Sequence, residues 1–119
     1  MTTILVGGVG KRDVATALED VGVTGLRVVV SNDMDAAMQL RSGQADYFVG
    51  TCHTGAGASL GVLVALLGHG KCHTFGRTVP SLADVSKALA EGKVAFGFSI
   101  DQADKVVPTI AKALQDKQS

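Results

Sequence analysis

Short apolar runs alternate along the chain with longer amphipathic segments. The runs are continuous rather than alternating, which is typical of strands that are buried on both faces of a sheet. Between them, apolar residues recur at helical spacing, as Val14, Leu18 and Val21 do in the first such segment. The pattern therefore predicts five strands, at residues 3–6, 26–30, 45–49, 71–75 and 94–98, each followed by a helix.

Two of the predicted helices begin with a recognisable capping pair. Asn32 has Asp35 three residues later, and Ser81 has Asp84 at the same spacing, so each pair can satisfy amide groups of the first helical turn. Pro108 lies in the last amphipathic segment, which we expect either to begin its helix late or to be kinked there.

This alternation predicts one α/β domain that spans residues 1–119. We expect a doubly wound, mostly parallel, five-stranded sheet of the Rossmann-like or flavodoxin-like class, with helices on both faces. The common strand order for such a chain is 2-1-3-4-5, with the ligand at the switch point between strands 1 and 3.

Two glycine-rich segments follow these same strands, at residues 7–10 and 50–57. Glycines let a backbone approach a ligand closely, and the first turn of a following helix offers unpaired amides to an anion. Lys11 and Arg77, after predicted strands 1 and 4, supply positive charge at the same edge. The residues predicted to bind an anionic ligand are Gly8, Gly10, Lys11, Thr51, Thr54, Gly55, Gly57, Ser59 and Arg77.

Cys52 and His53 are the candidate catalytic residues within the second segment. The start of a helix stabilises a thiolate, so Cys52 suits a base or a nucleophile, but small thiols also fill ordinary cores. His53 suits a proton shuttle, or equally a hydrogen bond to a neighbouring carbonyl.

Composition narrows the list of partners. The formal net charge is zero and aromatic residues are few, which argues against nucleic-acid binding, and the continuous apolar part of the longest uncharged stretch is too short to span a membrane. Two cysteines and no signal-like start indicate a reducing cytoplasm. The triplet at Cys52 recurs at Cys72, but the two thiols fall at opposite ends of the predicted sheet, so we expect neither a metal site nor a cofactor.

The third predicted helix carries no charge between residues 55 and 68. A normal solvated helix face is polar, so another surface is expected to cover this one. The sequence therefore predicts a homo-oligomer that assembles through the apolar helix at residues 57–67.

Four blocks together resemble the YhfU-like family of small uncharacterised bacterial proteins. They are NDMDAAM (32–38), GQADYFVG (43–50), TGAGA (54–58) and AEGKVAFG (90–97). The resemblance covers almost the whole chain and implies a bacterial cytoplasmic protein, but it brings no established activity and no catalytic residue.

The run CHTGAGAS (52–59) is also similar to a loop of the B-type ribose-5-phosphate isomerases. That resemblance implies a base at Cys52 and sugar-phosphate contacts in the glycine turn, although those enzymes also use an Asp-His pair where this chain has GGVG (7–10). The same run resembles the phosphocysteine loop of sugar phosphotransferase IIB domains, in which the cysteine follows strand 1 rather than strand 3.

Three hypotheses follow from the sequence. The first is binding of a small phosphorylated or carboxylate metabolite without catalysis. The second is a sugar-phosphate isomerase, or a phosphoryl-transfer protein, that uses Cys52. The third is a structural or regulatory oligomer subunit that binds no ligand.

Overall fold

A computed structural model of the chain describes residues 1–53 and 60–118. Within these residues, strands and helices alternate as the apolar pattern predicts. The strands are β1 (Thr2–Gly8), β2 (Leu26–Val30), β3 (Tyr47–Cys52), β4 (Cys72–Thr74) and β5 (Ala95–Ser99). The helices are α1 (Lys11–Val21), α2 (Asp33–Ser42), α3 (Gly61–Leu67), α4 (Leu82–Ala90) and α5 (Ala103–Gln118).

The five strands form one sheet in the order β2-β1-β3-β5-β4, and every neighbouring pair is parallel. The predicted class of a doubly wound parallel sheet is confirmed, but the order differs from the common 2-1-3-4-5, because β5 lies between β3 and β4. The side chains explain why β5, and not β4, lies beside β3. Every residue of β5 is buried, whereas β4 has three residues and exposes His73 and Thr74, as suits an edge strand.

The two faces of the sheet are covered by different helices. Helices α1, α4 and α5 pack on one side, which we call the three-helix face, around Phe96, Phe98 and Ile110. Helices α2 and α3 pack on the other, the two-helix face, around Phe48 and Leu63. This arrangement follows from right-handed crossovers between parallel strands, which send successive helices to the side dictated by the direction of each step.

The predicted helix starts at Asn32 and Ser81 are confirmed. The Asn32 side chain accepts a hydrogen bond from the Asp35 amide, and Ser81 and Asp84 form a complete capping box. Helix α5 begins at Ala103, so Pro108 lies inside the helix and the predicted late start is wrong. Among the described residues, no helix has both the length and the apolar character needed to cross a membrane.

Strand β3 is longer than its apolar pattern predicts. The pattern predicts an end at Val49, but Gly50 and Thr51 continue the ladder with both β1 and β5, and Cys52 continues it with β5. Gly50 pairs with Gly7 of β1 and with Gly97 of β5, and Cys52 pairs with Ser99. Thr51 and Cys52 therefore belong to the strand rather than to the loop in which the sequence placed them.

Candidate functional site

The carboxyl end of β3 is the best candidate for a binding crevice. Its neighbours β1 and β5 are followed by α1 and α5 on the three-helix face, whereas β3 leads to α3 on the two-helix face. Connections that leave neighbouring strands toward opposite faces open a crevice between them, which is where open α/β sheets bind ligands. The chain therefore has such a switch point on each side of β3.

The β1 side of this crevice is closed by contacts between Gly8, Val9 and Thr51. The Val9 amide donates to the Thr51 carbonyl at 2.9 Å, and the Thr51 hydroxyl donates to the Val9 carbonyl. Gly8 has a φ of 84°, and a Cβ there would collide with the Thr51 backbone, whose nitrogen would be 2.8 Å away. Close approach of β3 thus requires glycine at residue 8, and the predicted ligand contact there stays a prediction.

Helix α1 begins beside this closed junction. Gly10, in the left-handed conformation, occupies the N-cap position without a side-chain cap, and a Cβ there would collide with Ile100. Lys11 lies at the predicted edge, but its ammonium donates to the Ser31 carbonyl at 3.0 Å. Lys11 therefore extends toward the end of β2, and not into the space between β3 and β5.

Three polar groups meet at the end of β3 on the β5 side. Ser99 is fully buried, and its hydroxyl donates to the His53 carbonyl at 3.3 Å. Cys52 is buried next to Ser99, since the two residues face each other in the ladder. The His53 residue is exposed, and its backbone oxygen anchors the end of the strand.

Arg77 reaches the same carbonyl from the segment after β4. Its guanidinium donates to the His53 oxygen at 3.3 Å and lies 3.8 Å from the Asp101 carboxylate. The arginine side chain remains 64% exposed, as does that of Asp101, so the ion pair leaves most of the guanidinium open to solvent. The structure thus brings Arg77 and His53 together, a contact that nothing in the sequence pattern indicates.

Asp33 is a candidate that the sequence reasoning missed. It is the first residue of α2, and one carboxylate oxygen lies 3.4 Å from where a Cβ on Gly7 would be. Burial raises the pKa of the Asp33 carboxyl above its usual value, although the Lys11 charge acts in the opposite direction. A signal is present in the sequence, because an acidic residue follows the end of a strand here, but the cap pair Asn32 and Asp35 draws attention away from it.

A row of glycines crosses the two-helix face just below these groups. Gly7, Gly50 and Gly97 pair with one another across β1, β3 and β5. The Phe48 ring lies over Gly7, 2.9 Å from where a Cβ on Gly7 would be. Leu60 Cδ1 lies over Gly97, 3.0 Å from where a Cβ on Gly97 would be. These two glycines are therefore explained by packing of neighbouring side chains.

Four of the predicted ligand-binding residues lie outside the described part of the chain: Thr54, Gly55, Gly57 and Ser59. Part of the apolar helix predicted at residues 57–67 also lies there, and its described portion is α3. The described residues therefore bear on the predictions for residues 8, 10, 11, 51, 52, 53 and 77.

Cys52 and Cys72 belong to different ends of the sheet. Cys52 pairs with Ser99 of β5, and Cys72 pairs with Ala95 of the same strand. Ser99 and Ala95 are four residues apart, so the two cysteines are separated along the strand direction by about 13 Å, at 3.3 Å per residue. Burial raises the pKa of the Cys72 thiol, and Lys93 partly offsets that effect. Across residues 1–53 and 60–118, no group of three or more histidine, cysteine or acidic side chains is placed to hold a metal ion.

Comparisons with known proteins identify relatives along nearly the full length. A family model described as a protein of unknown function, DUF2620, matches residues 2–114. The protein named uncharacterized protein YhfU from Escherichia coli K12 is 36% identical over 117 residues, which cover 97% of this chain and all of that protein. The YhfU protein of Shigella flexneri matches equally well. The predicted resemblance to the YhfU-like family is confirmed.

Two solved structures share the fold. The crystal structure of ribose-5-phosphate isomerase B from Giardia lamblia has a TM-score of 0.70 and 18% identity, over 95% of this chain and 92% of the other. The type B ribose 5-phosphate isomerase of Trypanosoma brucei has a TM-score of 0.71 and 12% identity, over 97% and 87%. At these identities, the likeness establishes the Rossmann-like fold.

Proposed function

We propose that this chain, which belongs to the DUF2620 family, binds a small anionic metabolite at the carboxyl end of β3. The observation that carries the proposal is the topology, because β3 has a switch point on each side. The ligand carries a phosphate or a carboxylate group. The finer predictions, that the protein is cytoplasmic and binds without catalysis, form part of the same proposal.

Arg77 is the cation best suited to the ligand's negative charge. The His53 carbonyl and the Asp101 carboxylate orient its guanidinium, which is still largely exposed. A guanidinium can donate two parallel hydrogen bonds to a phosphate or a carboxylate, so an incoming anion can compete with the exposed Asp101 pair. The uncapped first turn of α1, which follows the junction of β1 and β3, adds amide donors at the same edge.

The binding test uses calorimetry with ribose 5-phosphate, inorganic phosphate and acetate as separate probes. We expect ribose 5-phosphate or phosphate to bind, and we expect Arg77→Gln to weaken binding about tenfold, which corresponds to one charge-assisted contact. Arg41→Gln is the matched control, since Arg41 lies in the last turn of α2, at the other edge of the sheet. Absence of binding by all three probes would overturn the proposal.

A second candidate function is proton transfer on a sugar phosphate by Cys52, with His53 assisting, in the manner of an isomerase. It is supported by the fold shared with two proteins named as ribose-5-phosphate isomerases and by the burial of Cys52 at the end of β3. The β1 junction argues against an identical mechanism. Thr51 and Ile100 lie so close to Gly8 and Gly10 that larger side chains at these two positions would collide with them. Phosphoryl transfer by Cys52, implied by the IIB resemblance, stays a prediction.

Alkylation separates catalysis from simple binding. If Cys52 is a reactive thiolate, iodoacetamide at neutral pH modifies it before Cys72, whose thiol has a pKa raised by burial, and ribose 5-phosphate protects it. Peptide mass spectrometry distinguishes the two sites. Equal or slower modification of Cys52, with no protection by ribose 5-phosphate, excludes the catalytic alternative and leaves the binding proposal standing.

A third candidate is a homo-oligomer that uses the two-helix face, with or without a ligand. Its support is that Met34 and Met38 of α2 are 55% and 57% exposed, beside the uncharged helix α3. Light scattering at micromolar concentration tests it, and a monodisperse monomer would exclude it. In an oligomer, Met38→Glu is expected to shift the mass toward the monomer, because it places a charge within the apolar surface.

A further inference from the structure

A cavity of about 320 Å³ opens at the edge of the sheet, between β4 and α4. Strand β4 and the segment that follows it supply one side of the lining, and α4 supplies the other. Arg77 belongs to that segment but reaches the His53 carbonyl instead, so the cavity is separate from the proposed anion site. Pockets that bind small molecules measure about 300–1,000 Å³, so this one suits a ligand of metabolite size.

The apolar lining of the cavity continues a row of rings that begins in the core. Phe96 is buried on the three-helix face, and the half-buried Phe75 ring is stacked on it, with the two centroids 6.0 Å apart and the planes 2° from parallel. His73 extends the row to the sheet edge, and its ring centroid lies 4.8 Å from that of Phe75. Pro80 and Ala88, both buried, add apolar surface beside these rings. Aromatic rings pack on one another at such distances, so the row can accept a further ring from a ligand.

Two opposite charges on the α4 side line the cavity without pairing with each other. Lys87 and Glu91 are four residues apart, and neither side chain makes a hydrogen bond or an ion pair within residues 1–53 and 60–118. Helix α5 shows the usual alternative, because Lys112 and Asp116 have the same spacing and pair at 3.5 Å. An ammonium donor and a carboxylate acceptor are therefore both available to a ligand in the cavity.

We propose that this cavity binds a free aromatic α-amino acid. Its ring joins the row formed by Phe75 and His73, its carboxylate pairs with the Lys87 ammonium, and its ammonium pairs with the Glu91 carboxylate. Asp84 also lines the cavity, so the lining holds two carboxylates and one ammonium, and a sugar phosphate is repelled. An aromatic acid or an aromatic amine leaves one of the two α4 charges without a partner. This inference does not depend on the proposed anion site.

Calorimetry of the whole protein with four probes tests the chemical class of the ligand. L-Phenylalanine is expected to bind, whereas 3-phenylpropionate lacks the ammonium and phenethylamine lacks the carboxylate, so each of these two is expected to bind about tenfold more weakly. N-Acetyl-L-phenylalanine amide carries neither charge and resembles a residue within a peptide. If it binds as tightly as L-phenylalanine, the cavity is a peptide site and the proposal is overturned. Absence of L-phenylalanine binding also overturns it.

Two substitutions test the charge contacts. Glu91→Gln is expected to weaken L-phenylalanine about tenfold and to change 3-phenylpropionate less than about twofold, because that probe has no ammonium. Lys87→Met is expected to act in the same way on L-phenylalanine and to spare phenethylamine. Glu19→Gln and Lys105→Met are the matched controls, since they alter exposed charges on α1 and α5 that do not line the cavity. If either Glu91→Gln or Lys87→Met leaves the affinity for L-phenylalanine unchanged, the proposal is overturned.

A third substitution locates the bound molecule without removing a charge. Thr78 is exposed and lines the cavity, so Thr78→Trp fills the space from its rim and leaves the core side chains in place. It is expected to abolish L-phenylalanine binding, while thermal unfolding followed by circular dichroism shows that the variant is folded. Binding that persists in Thr78→Trp would place L-phenylalanine elsewhere on the protein and overturn the proposal.

Discussion

The two faces of the sheet are filled by side chains of different size. On the three-helix face, Phe96, Phe98, Ile110 and Leu114 are completely or almost completely buried. On the two-helix face, the buried positions include Ala36, Ala37, Ala45 and Ala95, and glycines replace side chains near the carboxyl edge. The contrast indicates that the three-helix face provides most of the stability, and that on the two-helix face the glycines let neighbouring side chains pack directly against the strands near the carboxyl edge.

The largest expected effect tests whether stability resides in the three-helix face. Phe98→Ala removes a fully buried ring and is expected to lower the free energy of unfolding by about 3–5 kcal/mol in urea denaturation. Leu63→Ala, at a fully buried position of the two-helix face, is expected to cost nearer 2 kcal/mol. If Leu63→Ala costs as much as Phe98→Ala, the contrast between the faces is wrong.

A second prediction concerns the junction of β1 and β3. Gly8→Ala combines a left-handed backbone with a collision against Thr51, so we expect it to lower the free energy of unfolding by about 3 kcal/mol. Gly22→Ala is the matched control, because Gly22 has a similar φ of 75° but nothing within 4 Å of its Cβ position. It should cost about 1–2 kcal/mol, from the backbone alone. Equal losses in the two variants would show that the junction is not tightly packed.

A third prediction measures how far the two-helix face depends on its glycines. A Cβ on Gly97 would lie 3.0 Å from Leu60 Cδ1, so Gly97→Ala is expected to cost about 1 kcal/mol. Because the obstacle is a side chain, the loss should shrink when Leu60→Ala is also present, with a coupling energy of about 0.5–1 kcal/mol. Additive losses in this double-mutant cycle would mean that Leu60 is not the group displaced.

The smallest expected effect is the free energy that it costs to bury the charged Asp33 carboxylate in part. Since the folded-state pKa of Asp33 is raised, folding favours its protonated form, so its charge destabilises the protein as pH rises above the ordinary value of 3.8. Asp33→Asn should therefore match the wild type at low pH and become more stable by a few tenths of a kcal/mol at neutral pH, in view of solvent screening.

Asp84→Asn supplies the opposite sign as a control for this measurement. The backbone and side-chain hydrogen bonds with Ser81 lower the pKa of Asp84, so its charge stabilises the fold above pH 3.8 and that contribution is lost on acidification through the lowered pKa. Denaturation curves at several pH values compare the two variants. A difference of the same sign in both would exclude desolvation as the effect at Asp33.

Much of this fold is predictable because its signals are local. Apolar runs locate four of the five strands, β4 being the exception, and the polar residues at Asn32 and Ser81 locate two helix starts. Strand order is not local, because it depends on which strand best fills the position beside β3. The polar residues His73 and Thr74 of β4 are the signal in the sequence for an edge strand.

The site is less predictable for the same reason. Ligand contacts at Gly8 and Gly10 stay a prediction, whereas the packing reason for both glycines, the close approach of Thr51 and Ile100, is set by distant segments of the chain. The bond from Arg77 to His53 likewise joins two loops that are separated by a helix and a strand. Asp33 gains its character from burial and from Lys11, neither of which sequence spacing reveals.

The position of β5 between β3 and β4 has a consequence for synthesis on the ribosome. Among the described residues, β4 pairs with β5 alone, and α5 packs against both α1 and α4. A nascent chain that has been translated through β4 therefore holds a strand without a sheet partner and only α1 of the three-helix face. We expect the chain to acquire stable structure late, after α5 has been synthesised, because only then are β4 paired and the three-helix face complete.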